Sequence, residues 1–137
     1  MRRLDTPEDV SAALTRLRET VSGPPTRVTQ TLAAALREIA SPVLVTDDSG
    51  RYIGATESAC QLTGYQLNAL LTKSVSDLTA PREASVHDRL WSAFSRTGEQ
   101  SGSYDLIRQD GSVIHVTYQA FWDVVPGVHV AFIRAIS

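Results

Sequence analysis

The sequence predicts an α+β fold: a five-stranded antiparallel sheet with short helices between its second and third strands, preceded by an N-terminal helical extension. Three observations carry this. At Pro42 the spacing of apolar residues shortens from near 3.6 to near 2, which marks a passage from helix to strand. Thr56, a capping residue type, and Gly64, a helix-ending one, bracket a helix-length stretch. Beyond residue 100 three alternating runs are separated by Asp110-Gly111 and Pro126-Gly127, both turn dipeptides.

A chain of 137 residues supports one domain with a core plus an appendage, so residues 1–41 are assigned to the extension and 42–137 to the main domain. Its net charge of -2, with acids and bases interspersed, forms no basic stripe, and no nucleic-acid partner is expected. One cysteine excludes an internal disulfide and, without a CxxC or Cys/His cluster, argues against a metal site. The acids of "MRRLDTPEDV" stand where a signal peptide needs apolar residues, and no run approaches a membrane span. A cytoplasmic protein is the expectation.

In the extension, Thr6 and Pro7 start a helix over 6–22, and Val10, Ala13, Leu14, Leu17 and Val21 form one stripe. "SGPP" ends it. A second helix carries Val28, Leu32, Ala35, Leu36 and Ile39 until Ser41-Pro42. "PVLVT" and "RYIGA", joined by "DDSG", form a hairpin. Then come the helix opened by Thr56, a second at "YQLNALL", and a longer one over 82–97 closed by Gly98.

The last strands run over 101–108, 112–122 and 128–136. A two-residue Asp110-Gly111 turn pairs Leu106 with His115 and Tyr104 with Thr117, mixing polar and apolar on one face. A three-residue loop, Gln109-Asp110-Gly111, with Gly111 left-handed, instead pairs Leu106 with Ile114 and Tyr104 with Val116, and sets Asp105 opposite His115. Burial selects the second register. The final strand "VHVAFIRAI" is apolar on both faces, so its second face requires a cover, for which the N-terminal helices are available.

The ordered stretches "VLVTDDSGRYIGA", "ACQLTGYQLNALL", "SVSDL", "RTGEQSGSYDLIRQDGSVIHVTYQAF" and "VHVAFIRAIS" resemble a PAS domain. The resemblance implies a sheet cupping helices over a small pocket, acting as a sensory or dimerisation module in signal transduction. Thr56 stands where the family usually has Asn. Ala135-Ile136-Ser137 stands where the family often has Asp-Ile-Thr, the anchor of an output helix, so that route is absent or belongs to a longer protein.

For the ligand pocket the resemblance singles out Tyr104, Tyr118, Leu90, Phe94, Leu106, Val116 and Ile133, within an inward set that also holds Val43, Val45, Ile53, Leu62, Leu70, Leu78, Val86, Ile114 and Ala131. The polar tips of Tyr104, Tyr118 and Trp122 are candidates to orient a ligand. Leu14, Leu17, Leu32, Leu36, Ile39 and Phe132 are assigned to homodimerisation or sheet covering. A downstream signalling protein is a further expected partner.

The residues argue against flavin and haem. Light-sensing members carry their cysteine after the Gly-Tyr corner, whereas Cys60 precedes it beside Glu57, a setting for packing. Arg96 stands where haem sensors carry their histidine; His87 reads as a helix-surface residue, His115 as a cross-strand partner and His129 as an exposed strand residue. No catalytic residue is assigned, since no nucleophile motif, HExxH or phosphate loop occurs and Asp47-Asp48 lies in a turn. The alternatives are an interaction adaptor with a filled core and a small curved-sheet isomerase or ligand carrier, whose helices would precede the whole sheet.

Overall fold

In a computed structural model, described here for residues 36, 41–80 and 84–136, strands β1 (Val43–Thr46), β2 (Tyr52–Ala55), β3 (Glu99–Ile107), β4 (Val113–Val125) and β5 (Val128–Ala135) form one antiparallel sheet. Its order is β2-β1-β5-β4-β3, with the first hairpin beside the last strand. Between β2 and β3 lie α1 (Glu57–Thr63), α2 (Leu67–Leu70), a 3-10 turn (Val75–Leu78) and α3 (Ala84–Thr97). With helices inside the sheet's connectivity, the curved-sheet isomerase alternative falls away. Among the described residues no helix is long and apolar enough to cross a membrane.

The connector is stitched to both edges of the sheet. Tyr52 N–H donates to Lys73 C=O and Val75 N–H to Gly50 C=O along β2, while Ala80 N–H donates to Asp105 C=O along β3. These bonds satisfy edge groups that would otherwise be open. They also hold the helices across one face, over a core of Leu44, Tyr52, Ala55, Ala59, Leu70, Leu78, Leu106, Val116 and Ile133.

The corner at residues 56–64 forms as its residue types require. Thr56, 1% exposed, accepts from Ala59 N–H and Val43 N–H and donates to Ser41 C=O, tying the N-terminus of α1 to the start of β1. Gly64 closes α1 at φ 78, in the left-handed region, and its N–H reaches Cys60 C=O. The β3–β4 hairpin adopts the three-residue loop, with Gly111 at φ 87 and Gly111 N–H on Arg108 C=O. Leu106 faces Ile114, Tyr104 faces Val116, and Asp105 faces His115 across a 2.6 Å contact to its Nδ1.

The phase of the first hairpin is opposite to that expected. Leu44 and Tyr52 face the core, whereas Val43 and Val45 pair with Phe132 and Val130 on the other face. Ile53 is half-buried beside the fully enclosed Tyr52. All four residues of β1 are buried, so alternation offers no clue to its facing. Val43, Val45, Val130 and Phe132 are buried on that second face, and Leu36 is buried as well. The rest of the extension, with Leu14, Leu17, Leu32 and Ile39, and the side chains of Val86 and His87, lie outside the described residues.

Candidate functional site

Between the sheet and α3 lies a cavity of about 240 Å³. Leu44, Ala120, Ala131 and Ile133 form its floor, Trp91 and Phe94 its α3 wall, and Tyr104 and Tyr118 one side. The small side chains Ala120 and Ala131 are cross-strand partners, and their size leaves much of the space open. Leu90 lines the mouth, with 47% of its surface exposed.

The sequence-selected pocket residues therefore separate. Tyr104, Tyr118, Phe94 and Ile133 line the cavity, with Leu90 at its rim. Leu106 and Val116 do not: both are fully buried in the core beside the connector, where Thr79 bridges to Leu106. They share the cavity's face of the sheet but lie at its other end, filled by Leu70 and Leu78. Trp122 lies outside the lining and stacks on His129, ring centroids 3.5 Å apart.

The polar atoms of the cavity differ in what they still have to offer. Tyr118 Oη–H donates to Gln100 Oε1, and Gln100 Nε2–H donates to Leu90 C=O, strapping α3 to β3 and β4 at the mouth. Gly102 lies opposite, where a Cβ would stand 3.4 Å from the Tyr118 ring, an ordinary van der Waals contact. Thr79 Oγ1–H is spent on Val75 C=O. Tyr52 and Thr46 are also cross-strand partners, both buried and both lining the cavity. Their hydroxyls make no hydrogen bond among the described residues. Burial, with Tyr104, Asp77 and Tyr65 nearby, pushes the Tyr52 phenol well above its ordinary value, so it stays protonated.

His129 was expected to be exposed and is 1% exposed. Its phase on β5 points it to the inner face, opposite Thr46, where it lines the cavity beside Trp91 and Phe94. The register of β4 breaks between Phe121 and Val125, and Asp123 adopts φ 50 there. This places Asp123 N–H on His129 Nδ1 at 2.9 Å, while Nε2 lies 2.7 Å from Asp48 Oδ1. Nδ1 accepts, so Nε2 carries the proton and donates. Asp48, Asp123 and His129 gather ligand-type atoms within 4.8 Å, yet both ring nitrogens are already committed, and the group is a clasp between turns in place of a cation site. Trp91 Nε1–H on Asp48 C=O extends the clasp to α3.

Tyr52, Thr46, Trp91 and Gln100 were not singled out from the sequence. Thr46 and Tyr52 were missed because "VLVT" is apolar almost throughout and its alternation does not fix which face turns inward. Cys60 is half-buried against the core, and burial together with Glu57 raises its thiol, as a packing role requires.

Comparison with solved structures returns the same architecture. The PAS domain of a protein from Colwellia psychrerythraea superposes at TM-score 0.65 and 18% identity, covering 75% of this chain and 92% of that one. The PAS domain of an HTR-like protein from Haloarcula marismortui gives 0.63 and 20%, covering 81% and 99%. A domain of a sensory box sensor histidine kinase/response regulator from Geobacter sulfurreducens gives 0.65 and 15%, covering 74% and 88%. No curated protein sequence matches. The sequence model of the PAS fold matches residues 30–120, from the end of the extension through the cavity-lining part of β4. The chain belongs to the PAS family.

Proposed function

We propose that this PAS domain is a sensory module whose signal is occupancy of the cavity by a small molecule, relayed to a second copy of the chain or to a downstream signalling protein. The cavity itself supports the reading. A void of roughly 150 Å³ with apolar walls accepts a benzene-sized guest, and this one, at about 240 Å³, has room for a fused bicycle. Among the described residues, side-chain bonds through Gln100, Tyr118 and Trp91 tie its α3 wall to the sheet and the first turn. Occupancy then shifts the position of α3 by as much as the ligand prefers one position.

The relay proposed is a homodimer formed through Leu14, Leu17, Leu32, Leu36 and Ile39 of the extension together with Phe132 on the second sheet face. Cytoplasmic operation accords with the single unpaired cysteine.

The test compares wild type with Ala120→Leu, which fills the cavity from its floor. Native mass spectrometry of freshly purified wild type is expected to show a co-purified small molecule or, failing that, added bicyclic ligands are expected to raise its Tm. Ala120→Leu is expected to remain folded and lose both effects. A wild type that takes up nothing, with melting identical to the filled variant, supports the adaptor with a filled core instead. Sedimentation of Leu32→Glu and Ile39→Glu variants tests the relay, which predicts monomers.

A further inference from the structure

We propose that the ligand is a neutral, ring-bearing molecule with one carbonyl-type hydrogen-bond acceptor, and that the Tyr52 hydroxyl is the donor that orients it. This rests on the cavity-binding reading above and narrows it to a chemical class.

Three observations combine. First, Tyr52 is 3% exposed and lines the cavity, yet its hydroxyl has no hydrogen-bond partner among the described residues. The residue borders the cavity, so its unbonded hydroxyl is free to meet an acceptor that enters. Among the other polar side chains of the lining, Tyr118 is committed to Gln100, Thr79 to Val75, and His129 to Asp48 and Asp123. Thr46 has a second open hydroxyl, directly across the strand pair.

Second, none of the described lining residues carries a formal charge. A carboxylate or ammonium entering such a site loses its hydration without an ionic partner, a cost that no neutral hydrogen bond offsets. Third, the walls are aromatic. Trp91 stands edge-on to Phe94 at 5.8 Å and Tyr104 edge-on to Tyr118 at 5.7 Å, so both sides offer ring faces and edges to a flat guest. The phenol stays protonated and can donate but not compete as an anion.

The probes are indane, 1-indanone and indane-1-carboxylate, which share a bicyclic skeleton and differ in acceptor and charge. Titrations followed by NMR or calorimetry use the full chain as wild type, Tyr52→Phe and Thr46→Val. In wild type, 1-indanone is expected to bind about fivefold more tightly than indane, the scale of one neutral hydrogen bond, with the carboxylate weakest. Tyr52→Phe is expected to erase the ketone preference while leaving indane affinity unchanged, and to melt no lower than wild type when ligand-free.

A ketone preference that survives Tyr52→Phe, or that vanishes only in Thr46→Val, overturns the assignment to Tyr52. Tightest binding of the carboxylate overturns the neutral class. In both cases cavity binding itself still stands. If none of the three probes binds wild type while native mass spectrometry shows a co-purified small molecule, the inference falls alone; if neither is seen, the cavity-binding reading falls with it.

Discussion

His129 and Asp48 meet at 2.7 Å across 81 residues of sequence, a buried imidazole donating from Nε2 to a carboxylate whose side chain is 74% exposed. The contact fastens the β1–β2 turn to β5, and Trp91 fastens α3 to the same turn. The asymmetry of exposure sets what each partner is worth. In Asp48→Ala, water can replace the lost acceptor, and the expected cost is about 1 kcal/mol. His129→Leu strands Asp123 N–H and removes the stacking partner of Trp122, so about 2–3 kcal/mol is expected. Urea unfolding of both variants measures the difference; equal losses contradict the directional account.

Thr56 uses one hydroxyl to serve three backbone groups in a site closed to water. Thr56→Val keeps the shape and removes the hydroxyl. A loss of about 2–3 kcal/mol is expected, with Thr56→Ser within about 1 kcal/mol of wild type. Thermal melts of the pair separate the cap from simple packing.

Gly111 sits at φ 87, with open space where a Cβ would go. Gly111→Ala is therefore penalised by backbone conformation alone, about 1–2 kcal/mol. The Leu106–Ile114 register is expected to persist, as cross-strand NOEs would show; a shifted register would mean that the loop, and not burial, holds the pairing.

Asp47 accepts from Ser49 N–H, Ser49 Oγ–H and Arg51 N–H in the β1–β2 turn. Partial burial works to raise its pKa, but the Ser49 and Arg51 hydrogen bonds, with the Arg51 charge, outweigh it and hold the carboxyl below its ordinary 3.8. A depressed folded value contributes stability that is complete above the unfolded pKa and is lost as pH falls through the folded one. The stability difference between wild type and Asp47→Ala is thus expected to be constant near neutrality and to shrink below about pH 4. A difference that grows on acidification refutes this.

Cys60 is expected to alkylate slowly. Burial and Glu57 both disfavour its thiolate, and the thiolate is the reacting species. Iodoacetamide at pH 8 should modify native protein well below the rate seen in urea. Equal rates would show an open, activated thiol.

Much of this molecule is local, and local features were legible. Capping by Thr56, closure at Gly64 and the bulged turn at Gly111 depend on residues within one turn of each other, so their residue types specify them. The β3–β4 register follows because only one pairing puts Tyr104, Leu106, Ile114 and Val116 together. The second-face burial of Phe132 was likewise implied by a strand apolar on both sides.

Where a strand is apolar throughout, as in "VLVT", alternation is silent, and the partners of β1 alone decided that Leu44 and not Val43 faces the core. The burial of His129 also depended on long-range geometry: a break in β4, a positive φ at Asp123 and a carboxylate from the first turn had to converge on one ring. The cavity is likewise a property of assembly. Ala120 and Ala131 become its floor because pairing of β4 with β5 sets them side by side under α3. Sequence by itself determined which elements form and how neighbours pair, because backbone and capping forces act over a few residues; tertiary structure decided which faces meet and what space is left between them, because packing is settled only when distant segments arrive together.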